Sequence, residues 1–230
     1  IECEFYAAYW DYKDLMKFVE KAYKAVIKKT TGGMTTMWQG HTIEWGGKWP
    51  KIDYAKIFKE KVGVDVLESP IHELLAVGEK LGVKVWPEMG RGRLIDAVYK
   101  KAVRPTLIQP CFLINHPLEL SPLAKRSAKN GRIVERMQVV ACASEIGNGF
   151  SELNDPVDQR GRFEEQMRLR AAGDTEAQQM DEEFVEALEY GMPPAAGFGL
   201  SERMFSILMD KPVRETVVFP LMRPQINPKH

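Results

Sequence analysis

Cysteine is scarce. Three residues in 230 (Cys3, Cys111 and Cys142) are odd in number, far apart and without a Cys-x-x-Cys pair. That usage excludes a disulfide framework and points to buried free thiols in a reducing compartment. The four histidines, His41, His72, His116 and His230, show no metal-ligand spacing. Charge of one sign is not in excess: Lys plus Arg is 32 and Asp plus Glu is 32. The balance removes the broad electrostatic argument for a nucleic-acid or membrane-surface protein. No apolar run approaches the ~18 residues of a membrane span, and no leader-like segment opens the chain. The first residue is Ile1 rather than Met, inside a strand-like stretch, so further sequence is expected upstream.

What is present is ordinary for a globular chain: 44% hydrophobic and 28% charged residues. The length suits one large domain or two small ones and buries a core without disulfides. Ile1–Tyr9 reads as a strand with Glu2, Glu4, Tyr6 and Ala8 on one face and Cys3, Phe5 and Ala7 on the other. Asp11 caps a helix to about Lys29, with the apolar stripe Leu15, Phe18, Val19, Ala22, Val26. Thr35–Gln39 and Thr42–Trp45 predict a hairpin, and Tyr54–Val62 a short helix. Helical patterns at Ile71–Leu81 and Arg91–Val103 form a helical insertion over about 68–104. Strands are expected at Thr106–Ile114, Arg136–Ala143 and Gly149–Leu153, and helices at Asp158–Ala171 and Asp181–Tyr190. A glycine-rich segment at 195–210 enters a last helix reaching about Met209. Strands mixed with helices, without regular βαβ alternation, predict an α+β fold on an antiparallel sheet.

Three segments carry candidate chemistry. In Ser144–Asp155, Asn148, Phe150 and Glu152 alternate onto one strand face. Glu145, seven residues before Glu152, falls on the other face unless a bulge near Gly147 or Gly149 brings it round. Such acids suit an ammonium group or a magnesium ion. In the opening strand, Glu4 beside Tyr6 suits an ammonium. In Gly197-x-Gly-x-x-x-Arg203, glycines allow close approach and Arg203 could clamp a phosphate. A plainer account stays open for each: a solvated edge, a half-exposed strand, a glycine turn before a helix with a surface arginine. The short basic clusters, such as Lys28-Lys29 and Lys125-Arg126, read as solvated helix faces.

Read together, these segments resemble the C-terminal part of the catalytic domain of a class II lysyl-tRNA synthetase of bacterial type. The likeness rests on Glu4–Tyr12, Ile108-Gln-Pro, Pro117–Lys125, Glu145–Arg160, Ala187–Pro194 and Phe219-Pro-Leu-Met-Arg-Pro224. It implies an antiparallel sheet flanked by helices, and ATP-dependent formation of lysyl-adenylate followed by transfer of lysine to tRNA. It implies Glu152, Glu4 and Tyr6 around the lysine ammonium, Asn148 on its carboxylate and Phe150 walling the channel. Glu145 would bind Mg2+ on ATP, and Arg203 would grip the γ-phosphate as the catalytic arginine. Lysine, ATP and tRNA are the implied partners, in a cytoplasmic homodimer with no membrane contact.

Three departures accompany the resemblance. Gln138 stands where the family usually has a second metal-binding glutamate, and its amide brings no charge, so weaker metal binding is expected. The segment ending at Arg203 is one residue shorter than usual. The first half of the catalytic fold is not in the chain, which leaves the opening strand with an unpaired edge and the chain expected to be inactive alone. Two other readings compete: a ligase attaching a lysine-type residue to elongation factor P, and a non-catalytic module that binds an amino acid or adenylate. A paralogue built for asparagine synthesis fits the acid set less well.

Overall fold

The computed structural model describes residues 3–86, 89–175 and 177–220. Its centre is a six-stranded sheet in the order β1-β8-β7-β6-β5-β4, where β1 is Cys3–Ala8, β4 Lys51–Asp53, β5 Cys111–Ile114, β6 Arg136–Ala141, β7 Ser144–Ser151 and β8 Ala195–Leu200. All neighbours are antiparallel except β4 and β5, which are parallel. The expected antiparallel sheet is therefore a mixed one. β4 is only three residues long, too short to show an alternating pattern. β1 lies at the sheet edge.

One face of the sheet is covered by α1 (Tyr12–Thr31), a hairpin and α7 (Arg203–Leu208). Asp11 caps α1 through the Lys13 and Asp14 amides, and Gly32 ends it at φ 77. The buried side is Leu15, Met16, Val19, Tyr23 and Ile27. This corrects the expected stripe, because Phe18 and Val26 remain nearly half exposed. The helix is turned by Tyr23, whose hydroxyl donates to the Ile146 carbonyl beneath it. The hairpin pairs β2 (Thr35–Trp38) with β3 (His41–Glu44). Its two-residue turn, Gln39-Gly40, has positive φ at both positions, as a tight hairpin requires. Trp45 and Trp49 are core residues.

Among the described residues, the helices that cover the other face lie over β4, β5 and part of β6. There α2 (Tyr54–Val62), α3 (Ile71–Lys80) and α4 (Arg91–Val98) build a second core from Phe58, Leu74, Leu94, Ile95 and Val98 against Cys111, Leu113 and Val140. The predicted helix Arg91–Val103 is real in extent but widens into one π-type turn at Tyr99–Val103. The predicted strand Thr106–Ile114 is shorter: Arg104–Thr106 is a tight 3-10 turn and pairing starts at Cys111. The strand predicted to Ala143 stops at Ala141, because Cys142 and Ala143 adopt φ 54 and 55 and turn the chain into β7. β7 thus starts five residues before the expected Gly149.

Helices α5 (Pro156–Ala171) and α6 (Glu182–Tyr190) are capped by Asp155 and Asp181. The largest correction concerns the glycine segment. Gly197 and Gly199 are not a turn but the middle of β8, between β1 and β7. All three cysteines are free; Cys111 and Cys142 are buried as expected, but Cys3 is exposed. Ile1, Glu2 and the Leu221–Pro224 part of the expected terminal motif lie outside the described residues.

Candidate active site

Residues directly opposite in antiparallel strands share a face. One row across the sheet is Glu4, Gly199, Asn148 and Gln138; the next is Tyr6, Gly197, Phe150 and Arg136. The two glycines leave the middle strand bare, and a cleft of about 340 Å³ opens above them. A methyl group added at Gly197 would sit 2.5 Å from Glu152 Oε1 and 2.6 Å from the Tyr6 ring. At Gly199 it would meet Glu4 Oε1 at 3.4 Å. Both carboxylates therefore lean over the glycine floor from opposite flanks. The sequence-predicted set Glu4, Tyr6, Asn148, Phe150 and Glu152 comes together in this one cleft.

The electrostatics of the cleft are unbalanced. Among the described residues neither Glu4 nor Glu152 has an ion-pair partner. Burial pushes the Glu152 carboxyl from its ordinary value of 4.5 up to about 7. The Tyr6 hydroxyl is raised by burial first and then by the charges of Glu152 and Glu4. A bound cation would reverse the cost of ionising Glu152, so the cleft is chemically suited to a protonated amine.

Glu145 reaches the same face through a bulge. Gly147 pairs with Val139 and Glu145 with the adjacent Val140, so Ile146 is the extra residue. Glu145 then stands beside Gln138, whose Nε2 donates to Glu145 Oε2 at 2.8 Å. The two expected metal positions are brought together. Glu145 also separates the cleft from a second cavity of about 350 Å³ under the helical segment. Tyr54, Tyr99 and His116 line that cavity, and their phenolic oxygens and ring nitrogens are buried without a hydrogen-bond partner among the described residues. His116 is held well below its usual range by burial, then by the Arg136 charge; contacts from Gln138 and the Arg136 backbone oppose this, short of hydrogen-bond geometry.

Arg203 is not brought into the cleft. Its neighbours Ser201 and Glu202 line the rim, while Arg203 faces a separate cavity with Trp38, Ser144 and Asp210. One residue of the site escaped the sequence reading. Arg136 opens a strand that is apolar but for Gln138, and its Nε donates to Asn148 Oδ1 at 2.7 Å. An isolated arginine ahead of Met-Gln-Val-Val was the available signal.

A bare-floored run of antiparallel strands, with an acid-lined cleft beside an acid–amide pair, goes together with a profile match over residues 1–223: the chain belongs to the family described as tRNA synthetases class II (D, K and N). Within that family the curated relatives it matches include a lysine–tRNA ligase of Roseiflexus castenholzii, 44% identical over 98% of this chain and 46% of that protein. Another, from Thermotoga sp. strain RQ2, is 42% identical over 96% of this chain and 44% of that protein. A third, from Moorella thermoacetica, is 41% identical over 96% and 46%. The chain thus spans somewhat less than half the length of these relatives.

Proposed function

We propose that this chain carries the amino-acid-binding half of a lysine–tRNA ligase, an enzyme that uses ATP to activate lysine and passes it to tRNA. The observation supporting this most is the convergence of Glu4, Glu152 and Tyr6 over Gly197 and Gly199 with no internal cation among the described residues. Glu152 and Glu4 hold the lysine ammonium, Tyr6 hydrogen-bonds it, and Phe150 walls the alkyl chain. An uncharged amino acid leaves a buried carboxyl without its counter-ion and is rejected. Asn148 meets the α-carboxylate, whose oxygen attacks the α-phosphorus of ATP. A new P–O bond forms, the α–β anhydride bond breaks and pyrophosphate leaves. A ribose hydroxyl of the tRNA 3′ end then takes the lysyl group and AMP leaves.

The donor set at Glu145 and Gln138 fits Mg2+ only in company with nucleotide phosphates, since one charge and one amide are too few for a resident ion. When bound there, Mg2+ would neutralise phosphate charge. The Gln138 amide must first turn its oxygen toward the ion, because its NH2 now faces Glu145. Arg203, one residue beyond the cleft rim, is assigned to the distal phosphates of ATP. No helix among the described residues is long and apolar enough to cross a membrane. The reading includes the helical segment as an insertion in the catalytic fold, and a cytoplasmic homodimer as the working assembly.

Calorimetric titration with lysine and with norleucine, which is lysine without its terminal amine, tests the cleft. Lysine is expected to bind and norleucine not; equal affinity would defeat the proposal. Charging of tRNA against charging of elongation factor P, by the longer protein that carries this chain, separates the two acceptors.

A further inference from the structure

We infer that Arg136, a residue outside the cleft, gives the cleft its direction by fixing which end of the Asn148 amide faces the substrate. The inference rests on the lysine reading above and extends it to a positioning residue.

Arg136 is clamped by three contacts from two segments. Its Nε donates to Asn148 Oδ1 at 2.7 Å, and its Nη1 donates to the Leu120 carbonyl at 2.8 Å and to Ser121 Oγ at 3.0 Å. A guanidinium has donors only. The atom of Asn148 that it touches must therefore be the oxygen, which settles an amide orientation that is otherwise open to exchange. Asn148 stands on the cleft face, opposite Gly199 on one side and Gln138 on the other. With the oxygen committed to Arg136, the NH2 group is what remains for the cleft. An NH2 group offers hydrogens to an acceptor and none of its own lone pairs to an ammonium.

The cleft is thereby polarised across β8. Acceptors lie where Glu152 overhangs Gly197 and where Glu4 overhangs Gly199 from the β1 side, and the donor faces Glu4 from the β7 side, where Asn148 flanks Gly199. The strands that carry Glu4 and Asn148 are two strand spacings apart, about 10 Å, and both side chains reach inward over the floor. An extended lysine, roughly 7 Å from carboxylate to ammonium by standard bond lengths, fits between them. An amino acid with a cationic tail therefore enters in one sense only. A diamine that keeps both amines but lacks the carboxylate offers nothing to accept from the Asn148 NH2. Arg136 does this without contacting either ligand, so its removal should erase the distinction between them rather than the affinity for ammonium.

The experiment is titration of the chain with lysine and with cadaverine, which is lysine without its carboxylate. The wild-type chain is expected to prefer lysine by about tenfold, the usual worth of one charge-assisted hydrogen bond. In Arg136→Met the preference collapses toward unity through loss of lysine affinity, with cadaverine binding unchanged; Arg136→Lys recovers part of it. Asn148→Asp guards against misfolding of the arginine variants. It keeps the partner of Arg136 but presents an oxygen to the cleft, and should favour cadaverine over lysine. Equal loss of both ligands in the arginine variants means a merely structural role and overturns the inference. So does a preference for lysine that survives Arg136→Met or Asn148→Asp. A wild-type chain that binds neither ligand overturns the lysine reading and this inference together.

Discussion

The same face of one sheet is used in two opposite ways. Over β4, β5 and part of β6 it is closed by three helices, and the side chains beneath them are Leu113, Val140 and Cys111. Over β8 and its neighbours it is open, and the floor is glycine flanked by carboxylates. The contrast separates stability from recognition. Apolar side chains on the closed half hold the fold together by burial, while the open half gives up burial to leave room for a ligand.

Two substitutions should break the comparison most sharply. Leu94→Ala, in the closed half, should cost about 2–5 kcal/mol of unfolding free energy and leave the lysine affinity of the folded fraction unchanged. Gly197→Ala should do the reverse. Its methyl displaces Glu152 and Tyr6, both free to swing outward, so the denaturation midpoint should hold while calorimetric lysine binding is lost. If both variants lose stability and binding alike, the two halves are not separable.

A second pair compares the two acids. Glu152 is largely buried and Glu4 lies on the exposed edge strand. Glu152→Gln should weaken lysine binding by about 2–4 kcal/mol, the range for one partner of a desolvated charge pair. Glu4→Gln should cost roughly 1 kcal/mol or less, since water screens it. Similar losses in the two variants would remove the asymmetry.

The same contrast can be read from pH. The folded value of Glu152, about 7, lies above the ordinary 4.5. The proton is held more tightly in the folded state, so this group's contribution to stability is full below about 4.5 and is lost as pH rises through about 7. Lysine binding requires the ionised form, so affinity should climb with pH and level off above about 7. Both trends should vanish in Glu152→Gln, measured by denaturant midpoints and titration.

The start of α1 was readable, because Asp11 acts locally on the next turn of backbone, whereas α5 begins two residues before the expected Asp158, behind its cap Asp155. The cleft residues were readable too, since strand alternation carries Asn148, Phe150 and Glu152 to one side. What could not be read depends on distant neighbours. Gly197 and Gly199 resemble turn residues locally, and only the presence of β1 and β7 on either side makes them a floor. Cys142 and Ala143 adopt positive φ with no glycine or asparagine to announce it. Phe18 has the right spacing for the core, yet Tyr23 fixes the helix so that Phe18 meets Phe5 and Trp10 at the margin instead. Arg136 looks like a surface charge until its three acceptors are assembled from other segments.

The extra residue at Ile146 makes chain length itself a determinant of chemistry. Glu145 and Glu152 are an odd number of positions apart and still look out on the same side. Deleting one residue from that bulge would leave every amino acid of the cleft in place and yet turn Glu145 inward, toward Phe198 and Tyr23, which press on this stretch from the far side. A lone carboxylate there would be expelled or neutralised. The spacing between these two acids is therefore as much a part of the site as the acids themselves.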